Sequence, residues 1–242
     1  MKKSRKTALV AGSTILIMAL VSVFIFGYIH SNLVVSGNSM ATVDNLKSGK
    51  LLFGLEVLGW HIILLFDVIV AWALYAFFKE ENRKMAFIIA GLRIIYAAIL
   101  GVAIVNLIYV LKILNGNIEV GQGITPQQIM SFIESFETIW SFGLIIFGFH
   151  LLFLGVQVLK LKTIHHFWGV ALILAALAYI GIHGSGFLFP GFESRIRTVE
   201  MVLSLPMAFG EIGFGFWLLI RGGKPKILFR KKEQDISVSQ LY

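Results

Sequence analysis

Six long runs of apolar residues, separated by shorter polar connections, dominate the pattern along this chain. Runs of this length cross about 30 Å of hydrocarbon as α-helices. Alternating segments of about ten residues, which are typical of outer-membrane barrels, do not occur in the sequence. The pattern therefore predicts an all-α integral membrane protein, a six-transmembrane-helix bundle with helices at about 8–28, 51–78, 85–111, 126–159, 164–182 and 199–220.

The connections between these runs are too short to hold a separate soluble domain. We therefore expect a single membrane domain over residues 1–242, with a short basic tail at 223–242. The polar stretch 31–50 and the glycine-bearing stretch 183–186 are predicted to be exposed loops.

The start of the fourth helix has a recognisable local signature. Thr125 is a suitable N-cap, Pro126 suits the first helical position, and Gln128 completes a capping box. We therefore expect this helix to begin at Pro126 outside the bilayer. Glu134 and Glu137 follow on that outer stretch, and we expect both to lie on a solvated helix face.

The composition changes the meaning of the net charge. Hydrophobic residues make up 57% of the chain and charged residues only 14%, which is too apolar for a soluble domain. Of the basic residues outside the third run, fifteen fall at one side of the predicted membrane and five at the other. The charge of +8 thus indicates sidedness, with both termini cytoplasmic, rather than nucleic-acid binding.

These features predict a multi-pass protein of a bacterial cytoplasmic membrane whose main partner is the lipid bilayer. The chain contains no cysteine, which excludes disulfides, thiol catalysis and Cys-ligated metals. No motif calls for a cofactor, and the sequence does not indicate an oligomeric state.

Four ionisable residues, Asp67, Arg93, His150 and Glu211, lie in four different apolar runs. Each is about ten residues from the predicted cytoplasmic end of its helix, or roughly 15 Å inside the membrane. A charge at that depth is costly unless it is paired or neutralised, so such residues are candidates for a functional site. Tyr96 follows Arg93 by one turn. We name these five residues the polar layer.

Matched depth across a tight helical hairpin predicts a direct ion pair between Asp67 and Arg93. If Arg93 pairs with Asp67, then Glu211 has no cationic partner. Because burial disfavours a charged carboxylate, we expect a protonated Glu211 to donate a hydrogen bond to neutral His150. The alternative is that the polar layer only holds helices together.

Three further residues are secondary candidates at the outer side. Glu56 shares a helical face with Asp67, eleven residues further along the chain. It lies near the outer surface, where we expect water to solvate its carboxylate. His61 lies close beside the same face, and Glu200 lies near the outer end of the sixth helix.

Four strings of the sequence together resemble a known family of bacterial polytopic membrane proteins, the domain of unknown function 4386 family. They are DVIVAWALY (67–75), RIIY (93–96), WSFGLIIFGFHLL (140–152) and Glu211 followed by WLLIRG (217–222). The resemblance extends from about residue 51 to 222 and contains the whole polar layer. It implies a six-helix fold, and it implies no reaction, because the family is uncharacterised.

Three functions fit these observations. The first is an accessory, sensory or small-ligand-binding membrane protein, and the second is a transporter linked to a proton or small cation. The third, an intramembrane enzyme, ranks lower, because no H-E-x-x-H or serine motif is present and Arg93 would repel a metal ion.

Overall fold

The computed structural model describes residues 2–116, 123–161, 164–189, 191 and 193–223. The predicted basic tail at 223–242 lies outside the described residues, apart from Gly223. Within the described ranges, the regular elements are helices. They are α1 (Lys2–Ser22), a π-helical segment (Val23–His30), α2 (Ser31–Leu33), α3 (Ser39–Ser48), α4 (Lys50–Phe78), α5 (Arg83–Leu114), α6 (Pro126–Lys160), α7 (His166–Leu188) and α8 (Glu193–Ile220).

Six of these helical stretches are long and apolar enough to cross a membrane, as the sequence predicts. The first is continuous from α1 through the π-helical segment to Leu33, and the others lie in α4, α5, α6, α7 and α8. Each of the six packs against the next along the chain, and α8 packs back against α1. The bundle is therefore a closed ring of six helices, and residues on the inward faces of different helices meet at its centre.

Local capping explains where several helices begin. Asn82 accepts a hydrogen bond from the Met85 amide at 3.0 Å at the start of α5. The capping box predicted for α6 is present, since Thr125 accepts from the Gln128 amide and Gln128 accepts from the Thr125 amide. These caps satisfy amides that have no partner inside the helix.

Two predicted loops are helical instead. The stretch 31–50 contains α3, whose Thr42, Val43 and Leu46 are buried, so this segment packs on the bundle. The stretch 183–186 lies inside α7, which continues to Leu188. Where no water is available to bond to the backbone, the hydrogen bonds of an apolar helix continue through its glycines.

Glycines allow the closest helix crossings of the ring. A Cβ on Gly12 of α1 would lie 2.6 Å from the carbonyl oxygen of Gly215 in α8, and a Cβ on Gly155 of α6 would lie 2.8 Å from that of Gly169 in α7. Small residues at such crossings let two backbones approach closely. Arg5 also links α1 to α8, because its guanidinium donates hydrogen bonds to three backbone carbonyl groups at the end of α8.

The outward faces of the helices are apolar. Leu58 of α4, Val102 of α5 and Leu174 of α7 are 56%, 59% and 61% exposed, respectively. Large apolar side chains on the outside of a helical bundle are the surface expected where lipid tails replace water. The fold therefore supports a multi-pass membrane protein in contact with the bilayer.

Candidate functional site

The centre of the polar layer is the Arg93 guanidinium, which comes from α5 and bonds to three other helices. Its Nε donates to Asp67 Oδ1 of α4 at 2.8 Å. Its Nη1 donates to Glu211 Oε1 of α8 at 2.6 Å and to His150 Nε2 of α6 at 3.2 Å. One permanently charged side chain thus connects four helices of the ring, and the predicted contact between Asp67 and Arg93 is present.

The predicted bond between Glu211 and His150 is wrong. Glu211 pairs with Arg93 instead, because the fork of a guanidinium can serve two carboxylates at once. Both ring nitrogens of His150 have other partners, since Nε2 faces the Arg93 donor and Nδ1 lies 2.8 Å from the carbonyl oxygen of Ile89. A donor on one side and an acceptor on the other define a neutral imidazole with its proton on Nδ1.

The charges of the polar layer do not balance. Asp67 and Glu211 carry two negative charges when both are ionised, and Arg93 carries one positive charge. Asp67 is completely buried, and its second oxygen, Oδ2, has no hydrogen-bond partner among the described residues. The Glu211 side chain is 20% exposed. With both acids ionised, the arrangement therefore has an excess negative charge, and Asp67 has spare acceptor capacity.

Both acids and Arg93 line a cavity of about 190 Å³ at the centre of the ring. Aromatic side chains form much of the remaining wall. They are Trp60, Tyr96, Trp140, Phe147 and Tyr179. The lining also includes Val23, the first residue of the π-helical segment, which is 70% exposed.

Tyr96 joins the polar layer to the aromatic wall, as expected from its position one turn after Arg93. Its hydroxyl accepts a hydrogen bond from Trp140 Nε1 at 3.3 Å. Its ring lies 5.1 Å from the ring of Phe147, and the Arg93 guanidinium lies 5.3 Å from the centre of that same ring. These contacts fix the guanidinium against a π-face as well as between carboxylates.

The glycines around Glu211 pack against neighbouring helices. A Cβ on Gly210 would lie 2.9 Å from the carbonyl oxygen of Ala171 in α7, and one on Gly215 would lie 2.9 Å from a side-chain carbon of Ile15 in α1. A Cβ on Gly213 would overlap the Trp168 ring. These glycines bring α8 close to its neighbours and so carry Glu211 within reach of Arg93.

Glu56 lies in an environment that differs from the expected one. It is completely buried rather than solvated, because His30 at the end of the π-helical segment covers it. His30 Nδ1 lies 2.7 Å from Glu56 Oε1, and His30 Nε2 lies 3.0 Å from Glu137 Oε1 of α6. We name these three residues the His30 cluster.

Glu137 also departs from its prediction, because its side chain pairs with His30 and is only 40% exposed. Glu134, predicted on the same solvated face, is exposed. Phe136, the residue before Glu137, points into the bundle and is completely buried. At this level of α6, Glu134 therefore lies on the exposed face, whereas Glu137 lies at the edge of the face that packs into the bundle.

The other two secondary candidates lie apart from both clusters. His61 is exposed and its Nδ1 lies 2.7 Å from the carbonyl oxygen of Val57 in its own helix. Glu200 is half-buried near the start of α8. Neither residue lines the central cavity.

Metal-ligating side chains are not grouped in the described ranges as a metal site requires. No set of three or more His, Cys, Asp or Glu residues there is arranged to hold a metal ion. At the polar layer, the geometry gives a reason, since both nitrogens of His150 are engaged and a cation, Arg93, lies between the two acids.

A larger cavity of about 590 Å³ lies between α7 and the first half of α8. Its lining is almost wholly apolar, and Arg195 is the charged residue there. No residue of the polar layer lines this cavity. Because a binding site also needs polar groups that orient the ligand, the larger volume alone does not make it the better candidate.

Comparison with known proteins gives a family without an assigned activity. The family model described as "Domain of unknown function (DUF4386)" matches residues 10–222, and the chain belongs to this family. An uncharacterised protein from Archaeoglobus fulgidus is 27% identical over 169 residues, which are 70% of this chain and 85% of that protein. No solved structure matches the chain significantly.

Proposed function

We propose that this member of the DUF4386 family is a small-ligand-binding membrane protein of an accessory or sensory kind, and that its central cavity is the binding site. The observation that carries the proposal is the cavity itself, about 190 Å³ in volume and bordered by Asp67, Arg93 and Glu211. A polar layer that only held the helices together would need neither a cavity nor a carboxylate oxygen, Asp67 Oδ2, without a hydrogen-bond partner among the described residues.

The chemistry of the wall defines the class of ligand. Two carboxylates against one guanidinium leave an excess negative charge, and Asp67 Oδ2 lacks a partner among the described residues. Aromatic rings attract cations over their faces. The volume is below the roughly 300–1,000 Å³ of pockets for drug-sized ligands. We therefore infer a small solute that carries a positive charge or several hydrogen-bond donors.

Ligand-induced stabilisation in lipid nanodiscs tests this proposal. The probes are small ammonium and guanidinium compounds, with a neutral analogue and an anion of similar size beside each. A ligand that binds only the folded state raises its thermal stability, so a cationic probe should raise the Tm, and Asp67→Asn or Glu211→Gln should reduce that rise. Glu134→Gln, on the exposed face of α6, is the matched control.

Two results would contradict the proposal. One is a rise in Tm with anions in place of cations, and the other is a rise with cations that survives unchanged in both cavity variants. Absence of any rise across the cationic probes would also count against the inferred ligand class.

A transporter linked to a proton or small cation is the second candidate function. The observation in its favour is that Trp60 lines the central cavity and also donates a hydrogen bond to Glu56 of the His30 cluster, at 3.4 Å. Two ionisable clusters at different depths thus meet the same wall. Uptake of the stabilising probe into liposomes, with and without a pH gradient, distinguishes transport from binding alone.

We also propose that both termini face the cytoplasm, on the strength of the fifteen-to-five distribution of basic residues. Because the chain has no cysteine, single substitutions report sidedness without background. Ser39→Cys should react with a membrane-impermeant thiol reagent in intact cells, and Asn82→Cys should not. The reverse labelling pattern would invert the topology.

A further inference from the structure

We propose that the His30 cluster is a proton-binding site at the end of the bundle opposite the start of α1 and the end of α8. The inference goes beyond the proposed function and does not depend on solute binding in the central cavity. It follows from counting the protons that the geometry of His30, Glu56 and Glu137 requires.

Both ring nitrogens of His30 face a carboxyl oxygen, at 2.7 Å for Glu56 and 3.0 Å for Glu137. A neutral imidazole has one N–H, and an ionised carboxylate can only accept. With His30 neutral and both acids ionised, one of the two contacts would bring two lone pairs together. Both contacts become hydrogen bonds only when the cluster binds one additional proton.

That proton can reside on either partner without changing the total. On the ring, it makes an imidazolium that donates to both carboxylates. On a carboxyl group, it forms an O–H that donates to the bare ring nitrogen. In both cases the cluster holds one exchangeable proton, and losing it removes one hydrogen bond.

In these surroundings, the charge of the cluster depends mainly on whether this proton is bound. Glu56 faces His30 from α4 and Glu137 faces it from α6, and no Lys or Arg side chain of the described residues is paired with either acid. The other neighbours are aromatic, since the rings of Phe26 and Phe136 lie 5.1 Å and 6.3 Å from the imidazole.

The two acids differ in their access to water. Glu56 is completely buried, whereas the Glu137 side chain is 40% exposed. A proton therefore enters at the Glu137 carboxyl group and passes to His30 Nε2, so that the O–H bond breaks as the N–H bond forms. Glu56 holds the opposite side of the ring and prevents it from turning away.

The cluster is also joined to the wall of the central cavity. Glu56 Oε1, which faces His30, also accepts a hydrogen bond from Trp60 Nε1. The Trp60 ring lines the cavity and lies 4.9 Å from the ring of Trp140. Loss of the proton changes the charge beside Glu56 and therefore acts directly on a residue of the cavity wall.

Nitrogen NMR of ¹⁵N-histidine-labelled protein in lipid bilayers tests the site, with spectra recorded from about pH 5 to about pH 11, because two neighbouring carboxyl groups favour the protonated imidazole. The His30 signals are those lost in His30→Gln. They should shift with pH in a single transition. Glu137→Gln removes one negative charge and offers an amide N–H to the bare ring nitrogen, so it should move that transition to lower pH, and His61→Gln should leave it unchanged.

Signals of His30 that stay constant over the whole pH range would overturn the proposal, because the cluster would then be a static hydrogen-bonded contact. A transition that remains unchanged in Glu137→Gln would overturn the assignment of Glu137 as the proton's entry. The wild-type spectra decide the first question even if a variant fails to fold.

Discussion

The two ionisable clusters of this bundle have the same plan and differ in the residue at the centre. In each, a nitrogen-bearing side chain lies between two carboxyl groups that come from two other helices. The members are Asp67, Arg93 and Glu211 in the polar layer, and Glu56, His30 and Glu137 in the His30 cluster. A guanidinium stays charged at every working pH, whereas an imidazole changes its charge near neutrality.

This difference separates what the two clusters can do. In the polar layer, Arg93 keeps its charge, and neutral His150 only accepts from it, so the charge at the centre of this cluster is constant. In the His30 cluster, the central charge depends on a proton. We infer that constant charge suits recognition of a solute and that variable charge suits a response to pH.

The largest expected effect comes from removing the fixed charge. Arg93→Gln leaves the buried Asp67 and the partly exposed Glu211 without their cation, and breaking a buried pair commonly costs about 3–5 kcal/mol. Thermal unfolding in detergent should show this loss, and Asp67→Asn combined with Arg93→Gln should recover part of it. Strictly additive losses in the double variant would mean that the two side chains are not coupled.

Replacing the centre of the other cluster should cost less. In His30→Gln, the amide can still donate to one carboxylate, so about one hydrogen bond to a charged group is lost, or about 1–3 kcal/mol. The same unfolding measurement checks this order. A loss in His30→Gln larger than that in Arg93→Gln would contradict the idea that the fixed charge is the main structural link.

Glu137→Gln should have a small effect on stability and a clear effect on its pH dependence. The side chain is partly exposed, so its pairing contributes about 1 kcal/mol or less. Rising pH removes the exchangeable proton from the wild-type cluster and should lower its stability, whereas the amide retains its donor. The stability of Glu137→Gln should therefore vary less with pH, and equal pH profiles would argue against the exchangeable proton.

The smallest effect is expected at His61, which serves as a control for both clusters. It is exposed and bonds to its own helix, so His61→Gln should change stability by no more than about 0.5 kcal/mol. A larger change would show that this face of α4 contacts something other than lipid.

The six helices and the polar layer could be predicted from the sequence because both depend on depth in the membrane. Apolar length places a helix across the membrane, and distance along that helix places Asp67, Arg93, His150 and Glu211 at one level. Depth does not show how many partners a side chain has. The sharing of Arg93 by two carboxylates arises because α8 closes the ring and brings Glu211 to it, and the commitment of both His150 nitrogens arises from the packing of α6 against α5.

The His30 cluster was missed for a different reason. His30 lies beyond the predicted end of the first helix, and the π-helical segment Val23–His30 carries the helix further than the apolar run indicates. One signal was present in the sequence, since Glu56 precedes Trp60 by four residues and Glu137 precedes Trp140 by three. Residues three or four apart are neighbours on one helical face, so each acid lies beside a tryptophan that can bury it or donate to it.

The central claim is that the polar layer borders a cavity accessible to small polar solutes, and thiol accessibility tests it most directly. Ala208 lines the cavity one turn before Glu211, whereas Ala175 is completely buried between helices. In lipid bilayers, a small cationic thiol reagent should modify Ala208→Cys faster than an anionic reagent of equal size, and neither should modify Ala175→Cys. Equal resistance of both variants to the cationic reagent would mean that the layer is dry and closed, and would contradict the claim.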